Sequence, residues 1–87
     1  ADTHRLQDEY REARERYREA LDLAVAVGNR LGRASALTGI AHTHRLTGEY
    51  REARLLYAEA QQAYEALSNE TWAANCRDWL REIDDKS

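Results

Sequence analysis

The chain has no proline, no phenylalanine and no methionine, with one cysteine and four glycines among 87 residues. Without proline, no residue forces a helix to stop, so long helices are permitted throughout. A single thiol, Cys76, excludes an internal disulfide and fits a reduced, cytoplasmic setting. No apolar run approaches the ~20 residues that cross a bilayer, and no signal-peptide pattern is present. A basic surplus is also missing. The formal net charge is −3, and acidic and basic residues are interspersed as on a solvated helix surface. Nucleic-acid binding normally needs a cationic stripe to displace counterions, so nucleic acid and membrane are both set aside as partners. Lys86 is the only lysine, and the bias to Arg and Ala points to a GC-rich bacterial genome. Ala1 stands where a methionine would begin a whole chain, which suggests a processed or excised piece of something longer.

What is present is self-similarity. Thr3-His4-Arg5-Leu6 and Tyr10-Arg11-Glu12-Ala13-Arg14 recur forty positions later as Thr43-His44-Arg45-Leu46 and Tyr50-Arg51-Glu52-Ala53-Arg54. Tyr17, Glu19, Ala20 and Asn29 match Tyr57, Glu59, Ala60 and Asn69 in the same frame. A fixed period of roughly 20–50 residues marks stacked repeats, which usually work by presenting a surface. The length allows one small domain.

The breakers Gly28-Asn29, Gly48 and Ser68-Asn69 predict helices near 10–27, 30–46, 49–67 and 70–84, after a short leading piece near 2–7. Gly28 suits a helix end in the left-handed conformation, and Asn29 and Asn69 suit caps of the helices that follow. Asp8 holds the place of Gly48 in the first copy, so the first turn is either looser or replaced by a helix running straight through. Apolar residues recur at three- and four-residue steps in each stretch. Tyr10, Ala13, Tyr17, Ala20, Leu21, Ala24 and Val27 form one stripe, and Tyr50, Ala53, Tyr57, Ala60, Tyr64 and Leu67 another. Ala36, Leu37, Ile40, Ala41 and His44 form a third, and Trp72, Cys76, Trp79, Leu80 and Ile83 a fourth.

Leu37, Ile40, Ala41 and His44 on a first helix, Gly48 at the turn, then Tyr50, Ala53, Tyr57 and Ala60 on a second, resemble the tetratricopeptide repeat. The forty-residue spacing exceeds the common ~34. It is similar to the longer-repeat type of kinesin light chains, LGN-type scaffolds and bacterial STAND-type regulators. The link Val27-Gly28-Asn29-Arg30-Leu31-Gly32-Arg33-Ala34 is similar to the inter-repeat link of that group. The resemblance implies an all-α fold, a solenoid fragment of antiparallel helix pairs with four main helices plus the leading piece. It divides residues 1–87 into a partial first repeat (1–29), a complete repeat (30–69) and a capping helix (70–87). His44 departs from the pattern, standing where an aromatic is common. Arg77 and Arg81 stand where a first helix usually shows apolar residues. With Asp84 they suit a terminal helix that turns Cys76, Leu80 and Ile83 inward.

The resemblance also implies a binding groove on the inner faces of the first helices. Its residues here are Ser35, Thr38, His42 and Arg45, with Asp2 and Arg5 from the leading piece and Asn75, Asp78 and Glu82 from the last helix. Trp79 lies at the edge of the same face, and Trp72 begins its helix. Either serves as an interaction anchor, or both cover Tyr57 and Tyr64. Relatives that clamp a peptide carboxylate use paired Lys and Asn on these faces, which Thr38 and His42 are not. The expected function is therefore protein or peptide binding, in the C-terminal part of a larger bacterial regulator or scaffold. The alternative is a structural capping module, or a homodimer paired through the uncapped N-terminal face around Leu6, Tyr10 and Tyr17.

No enzyme is expected. His42 and His44 are two residues apart on a helix and point to nearly opposite sides, so one ion does not take both. Cys76 has no Gly-rich loop, oriented His or cationic helix start beside it, and a buried thiol on an apolar face is ordinary. No phosphate loop or zinc spacing appears. No metal, cofactor or catalytic residue is assigned.

Overall fold

Three breaks, spaced twenty residues apart, organise the chain. Gly28, Gly48 and Ser68 have φ of 73°, 81° and 58°, the left-handed conformation. Each is followed by the same bond closing the helix before it. Asn29 N donates to the Ala24 carbonyl at 2.8 Å, Glu49 N to that of His44 at 2.8 Å, and Asn69 N to that of Tyr64 at 2.9 Å. A left-handed residue followed by this long closing bond is the Schellman end of a helix. The next helix then starts at once. The Asn29 side-chain oxygen accepts from Gly32 N at 2.9 Å, and that of Asn69 from Trp72 N at 3.3 Å.

The computed structural model describes the backbone of residues 2–86 and the side chains of residues 6–85. Four helices result: α1 (Asp2–Val27), α2 (Arg30–Leu46), α3 (Tyr50–Ala66) and α4 (Glu70–Lys86). Apart from the start of α1, their order and ends match the expected stretches within two residues. No strand occurs among the described residues. Consecutive helices pack antiparallel, α1 on α2, α2 on α3 and α3 on α4. The thinnest dimension is 17 Å, that of two helix layers.

The leading piece is not separate. α1 runs 26 residues straight through Asp8, which takes the second of the two routes open to it. A detached segment of six residues would be too short to form a stable helix or bury a face of its own. Continuing α1 keeps its backbone hydrogen bonds intact. α1 therefore outreaches the 17-residue α2 by about 13 Å, at 1.5 Å per residue, and Leu6 on that overhang is exposed.

The core lies between α2, α3 and α4. Ala34, Leu37, Ala60, Tyr64, Ala73 and Cys76 form one buried cluster, and Ala41, Ala53, Tyr57 and Ile83 a second. Ala41, Ala53 and Ala60 are fully buried, as expected of small residues that let helices approach closely. α3 is covered on both sides, whereas α1 packs chiefly on α2 among the described residues. The repeat-equivalent tyrosines record that difference: Tyr57 is 0% exposed and Tyr17 is 41% exposed. Tyr10 and Tyr50, which the repeat also equates, are both half-buried.

Candidate functional site on the inner face

α2 and α4 meet through side chains along one face of the molecule. The His42 and Trp79 rings lie edge to face with centroids 4.5 Å apart. One turn further on, Arg45 Nη1 approaches Glu82 Oε2 at 3.6 Å. One turn earlier, Thr38 of α2 and Cys76 of α4 are both buried, and the Thr38 hydroxyl partly offsets the upward push of burial on the thiol. Periodicity produces this alignment, since residues three and four apart share a helix face.

His42 is the hinge of an aromatic cluster. Its Nδ1 shares a hydrogen bond with the Tyr57 hydroxyl, and the two rings are 5.3 Å apart. Tyr57 lies 5.4 Å from Trp79, and Trp79 6.4 Å from Trp72. Trp72 stacks on Tyr64 at 5.8 Å with 21° between planes. Such edge-on and offset pairs are favourable beyond their buried area. Burial, and then the Arg45 charge, push His42 below its ordinary pKa, so the ring is neutral at pH 7. Burial pushes the Tyr57 phenol up to about 12.

Beside this cluster opens a cleft of about 200 Å³. Tyr17 from α1 and Trp72 from α4 line it from the helices flanking α2, and Gly39 and Ser35 of α2 lie between them. A Cβ on Gly39 would stand 2.5 Å from Tyr17 Cε1 and 2.6 Å from its Cδ1, so the ring rests on bare α2 backbone. The Ser35 and Tyr64 hydroxyls are 3.3 Å apart, and either can donate.

The eight residues singled out from the sequence fall as follows. Ser35, Thr38 and His42 come together at the cleft. Thr38 is 5% exposed, and its hydroxyl donates to the Ala34 carbonyl at 2.9 Å, so it is a wall more than a contact. Arg45 is half-buried against Glu82, Asn75 is half-buried and Asp78 is exposed. Trp79 is half-buried over Tyr57, and Trp72 covers Tyr64 while staying 44% exposed. The two tryptophans thus do cover the tyrosines. Arg5, with Asp2 and His4, lies outside the described side chains. Sequence reasoning placed Tyr17 on the apolar stripe of the first helix and on its uncapped face, not at this cleft, and passed over Gly39. The signal was available, because a glycine inside a helix is disfavoured and the position forty residues on is Trp79.

A second polar group joins α1 to the α2–α3 turn. Arg14 Nε donates to Thr43 Oγ1 at 3.1 Å, and Arg14 Nη2 meets Glu49 Oε1 at 3.1 Å. Thr47 Oγ1 donates to the same carboxylate at 2.7 Å. That hydroxyl first, and Arg14 after it, hold the Glu49 carboxyl below the usual range. His44 is buried, and its Nδ1 makes no hydrogen bond, although Glu49 Oε1 lies 3.4 Å away. Arg54, the repeat equivalent of Arg14, pairs with Asp84 of α4 at 2.8 Å. This group fastens helices together and exposes no reactive arrangement. His42 and His44 face different partners, Tyr57 and Glu49, as their spacing required.

No helix among the described residues is long and apolar enough to cross a membrane. Comparison with curated proteins and with solved structures gives no match. The family model of the tetratricopeptide repeat matches residues 1–66, about three-quarters of the chain. Repeats of this family are non-catalytic scaffolds that generally mediate protein–protein interaction. With four antiparallel helices in a repeating register, the chain belongs to the tetratricopeptide repeat family.

Proposed function

We propose that this chain is a protein- or peptide-binding module that receives its partner on the inner face of α2 and α4. The contacts are Ser35, Thr38, His42, Arg45, Asn75, Asp78 and Trp79, with Arg5 from the leading end of α1. One observation carries the reading. Trp72, though stacked on Tyr64, keeps 44% of its surface open on a face that also holds the exposed Ser35 and the neutral His42. Exposed tryptophan is enriched where proteins bind one another. In this reading residues 1–29 are a partial repeat, 30–69 a complete one and 70–87 a capping helix. The parent is a larger cytoplasmic bacterial regulator or scaffold of the longer-repeat type. Exposure of Arg77, Arg81 and Asp84 on α4 supports the cap.

The test is selection of peptides from a random display library on the immobilised chain, followed by ¹H–¹⁵N mapping of the winners. Shifts at Ser35, His42, Arg45 and Asn75 are expected. Peptides that leave all four unmoved sink the inner-face reading.

The exposure of Tyr17, against none at Tyr57, favours a second reading in which α1 is covered by another copy of the chain. Sedimentation equilibrium across a hundredfold concentration range separates the two, since a strict monomer excludes the pairing.

A further inference from the structure

The cleft between Tyr17 and Trp72 differs chemically from the rest of the inner face. Of the side chains lining it, none carries a formal charge at neutral pH. Arg45 and Glu82, which do, are paired with each other further along α2 and α4. A cationic group entering the cleft would give up its hydration with no carboxylate to receive it, and an anion would find no guanidinium. What the cleft offers is ring faces, a glycine floor and hydroxyls. Tyr17 and Trp72 are 41% and 44% exposed, so both rings have surface to give. Its volume is about 200 Å³. An apolar cavity of about 150 Å³ is large enough to take benzene. Open ring faces favour a further ring, since edge-to-face and offset aromatic pairs, at ~4.5–7 Å, gain beyond their buried area. A hydroxyl on that ring would find the Ser35–Tyr64 pair, in which either oxygen can turn to donate or accept.

We infer that the cleft formed by Tyr17, Ser35, Gly39, Tyr64 and Trp72 is an anchor pocket for one aromatic side chain, Phe, Tyr or Trp, of a protein partner. This rests on the inner-face reading and adds to it the residue class the partner must present. The tryptophans and tyrosines then have divided tasks. Trp79 and Tyr57 hold α4 against α2 and α3, while Trp72 and Tyr17 grip the incoming ring.

The experiment titrates the chain with N-acetyl-L-phenylalaninamide, N-acetyl-L-tyrosinamide, N-acetyl-L-leucinamide and N-acetyl-L-lysinamide, observed by ¹H–¹⁵N correlation. The aromatic amides should give saturable millimolar shifts of the Ser35 and Gly39 amides and the Trp72 indole N–H. The leucine amide should bind several times more weakly and the lysine amide not measurably. Trp72→Ala should weaken the aromatic amides about fivefold or more. Tyr17→Ala should do the same, each variant being checked for helicity by circular dichroism. Absence of saturable shifts at these positions, or equal shifts with the lysine amide, overturns the pocket. A display-selected peptide that moves Arg45 and Asn75 but not Gly39 or Trp72 overturns the pocket and leaves the inner-face reading standing. One that moves neither group sinks both. Concentration-dependent Gly39 shifts without any probe would show a second copy in the cleft and also overturn it.

Discussion

Gly39→Ala is the sharpest test of how α1 is held. Two effects of opposite sign meet at this position. Alanine in place of glycine inside a helix is worth about 1 kcal/mol from propensity alone. Against that, the new Cβ would sit 2.5–2.7 Å from three atoms of the Tyr17 ring, a distance that forces the ring away. Tyr17 is 41% exposed, so somewhat more than half of it is covered. For an aromatic of ~150–250 Å² at ~25 cal/mol/Å², that cover is worth roughly 2–4 kcal/mol as an upper bound. Because the ring can swing toward solvent and keep part of its contact, about half would be lost. That loss of ~1–2 kcal/mol, set against the ~1 kcal/mol gained, leaves a destabilisation of up to about 1 kcal/mol, a melting shift of at most about 4–8 °C for a domain this size. The same substitution in a Tyr17→Ala background removes the obstacle and should stabilise by about 1 kcal/mol. The double-mutant cycle thus predicts a stabilisation that appears only once Tyr17 is removed, and a coupling of about 1–2 kcal/mol. Urea denaturation followed by circular dichroism measures all four proteins. If Gly39→Ala stabilises by the same amount in both backgrounds, the ring does not lie on α2 and the cleft floor fails with it.

Three further outcomes follow from single observations. Ser68 holds a left-handed φ of 58° where the equivalent breaks use Gly28 and Gly48. Ser68→Gly should therefore stabilise by about 0.5–1 kcal/mol, and Gly48→Ala destabilise by about as much, read as melting temperatures. Cys76 is 0% exposed, and burial raises its pKa, so Ellman's reagent should label it only at the rate of unfolding. Labelling within seconds of mixing in native buffer would show that α4 is not docked. Tyr57 retains its proton to about 12 in the fold against 10.0 in the unfolded chain. Its contribution is complete below pH 10 and is lost as pH rises toward 12, by up to roughly 3 kcal/mol at ~1.4 per pH unit. Tyr57→Phe should flatten the stability profile over that window.

Most of the architecture was legible because its signals are local. Gly28 and Gly48 mark two helix ends without reference to anything distant, and Asn29 and Asn69 mark two starts. Ser68 carries a weaker mark of its own, and it stands forty residues after Gly28, just before Asn69. Asp8 shows where that logic stops. The frame places a break there, but a break needs a helix on each side able to bury a face, and six residues do not supply one. The site was less legible for a related reason. Tyr17 and Tyr57 are the same letter in the same frame, yet one is open and the other closed, because exposure depends on how many helices flank α1 and α3. The Arg14–Glu49 contact joins residues 35 apart, and a repeat frame, which compares equivalents rather than neighbours, says nothing about such pairs.

The two copies differ most informatively where one helix of a pair hands over to the next. At the first junction the frame aligns Tyr17 with Gly39 and Ala24 with Gly32. At the second the same positions read Tyr57 with Trp79 and Tyr64 with Trp72. The structure makes these real contacts. Tyr17 lies on Gly39 and a Gly32 Cβ would meet Ala24, while Tyr57 meets Trp79 and Tyr64 meets Trp72. One backbone relation therefore carries two different fillings, small residues first and large aromatics second. A solenoid needs only that each junction be filled, and Leu or Ile would fill the second without leaving Trp72 partly open. Packing thus explains Trp79, whose ring lies against His42 and Tyr57. It explains only the stacked side of Trp72. The residual exposure of that ring, beside a tyrosine that the first junction also leaves open, is the part of the sequence that stability does not require, and the proposed contact surface is centred on it for that reason.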